Sequence, residues 1–169
     1  MTPAETSNEL EKLHAAGFAW ALACCGRRRE EAEDVLQTSY LKILDGRASF
    51  EGRSSFKTFL FGVIRRTASE QRRRRAIAGL IFRTADDVHD AGKLAESAPA
   101  SVSAESLAFR QALARLSRRQ REVLELVFAA GMTIQEAADT LSMSVGSARV
   151  HYDRGKKRLA RILGAGARP

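Results

Sequence analysis

The chain has 169 residues, room for one ordinary domain or two small ones and too little for a large multidomain enzyme. Its 28 Lys and Arg against 20 Asp and Glu leave a formal charge of +8, which points to a polyanionic partner, nucleic acid or an anionic membrane surface. Hydrophobic residues at 44% with only three prolines exclude disorder throughout. No apolar run approaches the ~18 residues of a membrane span, and the opening MTPAETSNELEK lacks the basic start and apolar centre of a signal peptide, so a cytoplasmic protein with no membrane insertion is expected.

In chain order, Thr6 followed by Glu9 matches the capping box that opens a helix. The stretch FAWALACC then ends in adjacent Cys24 and Cys25, a spacing that suits neither a disulfide framework nor a CxxC metal knuckle. They read as small buried thiols. Over residues 30–44, apolar side chains recur at Ala32, Val35, Leu36, Tyr40, Ile43 and Leu44, which predicts an amphipathic helix. Its opposite side carries Asp34, Gln37, Thr38 and Leu41 at helical spacing, a polar stripe with one leucine and a candidate protein-docking surface. The acids at 30–34 also complement the helix dipole.

A second amphipathic helix is expected from Phe56, with Phe59, Leu60, Val63, Ile64, Thr67 and Ala68 on its core face, running on into Gln71 and four arginines at 72–75. Away from that face Phe61 falls with Arg65 and Arg72, while Arg66 and Arg73 line a flank. An exposed aromatic among arginines is a platform for unstacked bases. The alternative is a phenylalanine buried against a neighbouring helix, with arginines that keep the surface wet.

Charge then changes sign. Residues 1–75 carry 14 basic and 10 acidic side chains, residues 76–103 two and four, and residues 104–169 twelve and six. The acidic middle, DAGKLAESAPASVSAES, reads as a flexible linker, and the expected domains are 1–78 and 104–165 with a linker at 79–103. Asp86, Asp87 and Asp90 would lie there in solvent or against a basic channel.

The last part predicts helices near 104–115, 118–130 and 133–141 and a longer one from Ser144 to about Leu163, two of them opened by the capping boxes Ser117–Gln120 and Thr133–Glu136. The last two, with a turn at Ser142 and Met143, have the layout of a helix-turn-helix. In the final helix Val145, Ala148, Tyr152, Gly155, Leu159 and Ile162 share one face. Ser147, Val150, Asp153 and Arg154 point away from it, with Arg149 at the margin and Lys157, Arg158 and Arg161 following. Readers at the start and cations behind them suit a recognition helix in a major groove; a solvated basic face is the plain alternative.

An all-α protein of two small helical domains therefore emerges. Enzyme chemistry finds no support, since His14, His89 and His151 lie apart without HxxxH or HExxH spacing and no Gly-rich phosphate loop occurs. No catalytic residue, metal or cofactor is expected.

EEAEDVLQTSYLKIL, then SSFKTFLFGVIRRTASEQRRRR, then ALARLSRRQREVLELVFAAGMTIQEAADTLSMSVGSARVHYDRGKKRLARIL resemble, in that order, a bacterial extracytoplasmic-function sigma factor. The resemblance covers nearly the whole chain. It implies a non-catalytic initiation factor with helical domains two and four, whose linker threads through core RNA polymerase. By the resemblance Asp34, Gln37, Thr38 and Leu41 would meet the β′ clamp, and domain four would meet the β subunit and the minus-35 DNA through Ser147, Arg149, Val150, Asp153, Arg154 and Lys157. The loop 45–55 with Phe50, and the following helix with Phe61, Arg65, Arg66, Arg72 and Arg73, would melt and hold the minus-10 DNA. An anti-sigma factor is a further implied partner.

Departures from the family pattern are Phe59, Ile64, Arg66 and Glu70, where tryptophan, an Ala-Arg-Asn run and aspartate are common. Arg66 would alter the capture of a flipped base, and Asp153 would repel phosphate while offering an acceptor to a cytosine amino group. The competing function is a stand-alone helix-turn-helix regulator, which has no need of the docking stripe or the aromatic-basic helix and would more naturally be a dimer on a palindromic site.

Overall fold

The computed structural model describes the backbone of residues 1–82 and 104–166 and the side chains of 1–79 and 107–164. Among the described residues the chain is built of α-helices with no strand, and it divides into two compact units, Met1–Ser97 and Ala98–Pro169. The acidic linker residues, including Asp86, Asp87, Asp90 and Pro99, lie outside the described residues.

In the first unit, helix α1 (Pro3–Lys12) starts earlier than expected. Proline is favoured in the first turn of a helix, so Pro3 moves the cap to Thr2. The Thr2 hydroxyl accepts from the Glu5 N–H at 3.2 Å and the Glu5 carboxylate accepts from the Thr2 N–H at 2.7 Å. The expected Thr6–Glu9 box is therefore not formed; Thr6 lies within the helix and its hydroxyl donates to the Thr2 carbonyl at 3.0 Å.

Helices α2 (His14–Cys24), α3 (Arg29–Leu44) and α4 (Phe56–Phe82) pack on one another around Trp20, Ala21, Val35, Leu36, Leu60, Val63 and Ile64. Gly17 sits in the packed interior of this unit, where a Cβ would lie in ordinary contact with Leu36 Cδ1 at 3.4 Å and Ile64 Cδ1 at 3.5 Å. Helix α4 continues through Phe82, so residues 79–82, expected in the linker, are helical.

Two burial assignments are corrected. Phe61 is not an exposed platform: it is 0% exposed and stacks on Trp20, ring centroids 6.0 Å apart and planes 7° from parallel. The Trp20 Nε1–H donates to the Phe61 carbonyl at 3.0 Å. The reason is that α4 has two apolar neighbours, α3 on the expected face and the almost wholly apolar α2 on another. Leu44, assigned to the core of α3, is 53% exposed. Ser39 is buried in its stead, its hydroxyl donating to the Val35 carbonyl at 2.7 Å, which satisfies a buried polar group within the helix itself.

The second unit holds α5 (Ala104–Ala114), α6 (Arg118–Leu124), which runs on into a π turn at Glu125–Ala129, α7 (Ile134–Leu141) and α8 (Val145–Gly166). Ser117 with Gln120 and Thr133 with Glu136 form both arms of their capping boxes, as expected. Ser142 closes α7 in the left-handed conformation, φ 52°, and turns the chain into α8. Ala112, Leu113, Leu116, Leu124 and Leu159 form one core cluster, flanked by Tyr152 and Ile162, and Val123, Leu126, Ala137, Leu141 and Ala148 are buried as well. At Gly155 a Cβ would meet Leu124 Cδ1 at 3.0 Å and Gln120 Cβ at 3.3 Å, so a side chain there would push α6 and α8 apart by a few tenths of an ångström or shift Leu124.

Among the described residues no helix is long and apolar enough to cross a membrane, and no cluster of His, Cys, Asp and Glu could hold a metal ion.

Candidate nucleic-acid interface

Helix α3 buries Ala32, Val35, Leu36, Ser39 and Ile43 and leaves Asp34, Gln37 and Leu41 exposed, with Thr38 half-buried between them. Leu41 is 59% exposed, and Leu44 lengthens the apolar part of the stripe by one turn. Leu44 escaped the sequence reading because its spacing fits the core face; its place in the last turn, where no neighbour covers it, is what exposes it. Beside the stripe, Lys42 Nζ bridges to α4, donating to Glu70 at 2.6 Å and to the Thr67 hydroxyl at 3.2 Å. The hydrogen bond from Lys42 holds the Glu70 carboxyl below its usual range.

The loop 45–55 is shaped by Gly46 and Gly52, both at positive φ, and its charges pair locally, Arg47 with Asp45 at 2.6 Å and Arg53 with Glu51 at 2.7 Å. Phe50 anchors the loop to the start of α4, its ring 5.4 Å from those of Phe56 and Phe59. Phe50 and Phe59 are half-buried, so part of this aromatic cluster reaches the surface. Of the α4 arginines, Arg65 is half-buried and Arg66, Arg72 and Arg73 are exposed, Arg72 donating to the Ser69 hydroxyl at 3.2 Å. The structure thus separates Phe61 from the arginines it was grouped with and leaves Phe50 and Phe59 as the aromatics with access to solvent. The signal for this lay in FAWALACC: a helix apolar on all sides needs partners on several.

At the far end of α4, Arg75 and Arg28 both pair with Glu31. Cys24 and Cys25 line a small cavity there with Gln71 and Arg72. Burial, with Glu31 nearby, pushes the Cys25 thiol up to about 11, so it stays protonated and unreactive at neutral pH.

In the second unit Ala148, Gly155 and Leu159 of α8 are buried, while Ser147, Arg149, Val150, Asp153, Arg154 and Lys157 are all exposed, as expected. Ser144 caps the helix, accepting the Ser147 N–H at 3.2 Å and donating to the Ser147 hydroxyl at 2.9 Å. Tyr152 is fixed at the flank between Phe128, at 5.8 Å, and the Lys156 ammonium, at 5.4 Å. The helix presents in succession a hydroxyl, an apolar side chain, a carboxylate and a guanidinium, with cations after them, a set that can address both base edges and phosphates.

Among the described residues the chain is helical and in two units, the second ending in a helix-turn-helix with a basic outward face, the layout of a DNA-binding protein. Residues 11–77 match the family model Sigma-70 region 2, and residues 106–159 match Sigma-70, region 4. The ECF RNA polymerase sigma factor SigX of Bacillus subtilis is 32% identical over 143 residues, 80% of this chain and 72% of that protein. The ECF RNA polymerase sigma factor EcfG of Rhodopseudomonas palustris is 30% identical over 148 residues, 86% and 77% of the two chains. The sigma factor RpoE from Bartonella quintana, solved in complex with the anti-sigma factor NepR, superposes with a TM-score of 0.74 at 26% identity, covering 95% of this chain and 97% of that one. The chain belongs to the extracytoplasmic-function sigma factors of the sigma-70 family, and it directs transcription initiation as they do. A stand-alone helix-turn-helix regulator is not favoured, because the match extends over the first unit as well as the second.

Proposed function

We propose that the two units divide the work of promoter recognition, with polymerase supplying all of the chemistry and this chain, in the cytoplasm, supplying none. The first unit, about residues 1–78, docks on the β′ clamp through Asp34, Gln37, Thr38 and Leu41. The observation that carries this reading is the unpartnered stripe on α3, where a 59% exposed leucine lies among polar side chains on a helix whose other faces are packed. The same unit holds the melted downstream strand through the Phe50 loop and Arg65, Arg66, Arg72 and Arg73, the charges gripping phosphates and the half-buried rings of Phe50 and Phe59 offering stacking surface. The second unit, about residues 104–165, reads the upstream element with α8 and meets the β subunit.

An anti-sigma factor that covers the docking and DNA faces is the remaining partner; the structural match to RpoE, solved with NepR, supports it. Run-off transcription with core RNA polymerase on a pooled promoter library tests the whole reading. New transcripts sharing paired upstream and downstream motifs are expected. Silent templates together with no capture of core polymerase would overturn it.

A further inference from the structure

The face of α8 that should meet a polyanion carries Arg149, Arg154, Lys157, Arg158 and Arg161, all exposed, and in their midst the exposed carboxylate of Asp153. A carboxylate held near phosphates weakens binding to every DNA sequence unless it meets a hydrogen-bond donor. In the major groove such donors are base amino groups. Among the described residues no ion pair or hydrogen bond engages either Asp153 or its neighbour Arg154. Consecutive helical residues rise only about 1.5 Å and turn about 100°, so Asp153 and Arg154 flank the outward direction of α8 from its two sides at one level, the short acid near the helix and the long, flexible cation able to swing beside it.

We propose that Asp153 and Arg154 act as one reader of a single C·G base pair, the carboxylate accepting from cytosine N4 and the guanidinium donating to guanine O6 and N7. The proposal rests on the assignment of α8 as the upstream-reading helix. A C·G pair presents, across its major-groove edge, a donor followed by two acceptors, and an acid next to an arginine is the complement of that order. A T·A pair in the same orientation sets thymine O4 against the carboxylate and the adenine N6–H against the guanidinium, and the reversed pair satisfies the acid through adenine N6 but offers the guanidinium only thymine O4 where guanine supplies two acceptors. The neighbouring positive charge also offsets the repulsion of Asp153 from phosphate.

The test is selection by holoenzyme, the full chain assembled with core RNA polymerase from its own source, from promoter duplexes with a randomised upstream element. The wild type should prefer C·G at one position by roughly 5- to 150-fold, the range of a good bidentate contact. Asp153→Ala and Arg154→Ala should each collapse the preference at that same position, and the double variant should do no more than either alone. A duplex whose cytosine there is replaced by a pyrimidinone lacking the 4-amino group should bind the wild type more weakly and Asp153→Ala unchanged.

Uniform tightening of all sequences by Asp153→Ala would overturn the proposal and leave the acid as a repulsive group; so would effects of the two variants at different base pairs. If Asp153→Ala, Arg154→Ala and Lys157→Ala all leave upstream selection unchanged while transcription persists, the assignment of α8 itself fails, and the paired reader with it.

Discussion

Helices α4 and α8 each carry an apolar side chain among arginines, and the two have opposite fates. Phe61 is 0% exposed and Val150 is 45% exposed. By helical spacing alone both fall outside the apolar face of their own helix. What separates them is the number of neighbours: α4 is flanked by α2 and α3, whereas the packing of α8 against α6, α7 and α5 engages the side that holds Ala148, Gly155 and Leu159. Periodicity reports one face of a helix, and a second buried face has to be inferred from the demand of some other helix for cover.

The sharpest way to break this comparison is Phe61→Ala, expected to cost the first unit about 3–5 kcal/mol by removing a fully packed ring, read as a fall in urea or thermal stability. A variant as stable as the parent that had lost only affinity for single strands would restore the platform. Leu41→Glu should weaken core-polymerase binding by about 2 kcal/mol or more with stability unchanged, since a charge enters a contact centre but no packed site is disturbed. Wild-type affinity in a titration would remove the docking stripe from the interface. Arg154→Ala is expected to lose about 1–3 kcal/mol of discrimination at the upstream element while core binding holds. Equal weakening on all DNA would make Arg154 a phosphate contact.

Smaller effects probe the helix starts. Thr133→Ala should destabilise the second unit by about 1 kcal/mol, because its hydroxyl caps α7, accepting the Glu136 N–H at 3.2 Å. Thr6→Ala, within α1, should change stability by less than about 0.5 kcal/mol. Comparable losses from both substitutions in parallel melting curves would contradict the corrected cap at Thr2.

In the second unit the covered and outward sides of α8 were legible from spacing. That helix has one covered side, so spacing alone separated Ala148, Gly155 and Leu159 from Ser147, Val150 and Arg154, and the hydroxyl caps at Ser117 and Thr133 marked the starts of α6 and α7. The π turn at Glu125–Ala129 left no signature, because apolar spacing over 118–130 is that of a continuous helix. In the first unit the stripe on α3 was legible for the same reason as α8. Errors gathered where tertiary context overrides a local rule: Pro3 moving a cap, an uncovered last turn exposing Leu44, a second apolar helix claiming Phe61.

The buried indole has a practical consequence. Trp20 is the one tryptophan of the chain. With its ring against Phe61 and its N–H bound to a carbonyl in an apolar setting, it is an optical reporter confined to the first unit. Its emission should move to longer wavelength when that unit opens and stay silent while the second unit melts. Fluorescence beside circular dichroism would then time the two transitions separately in a single unlabelled sample.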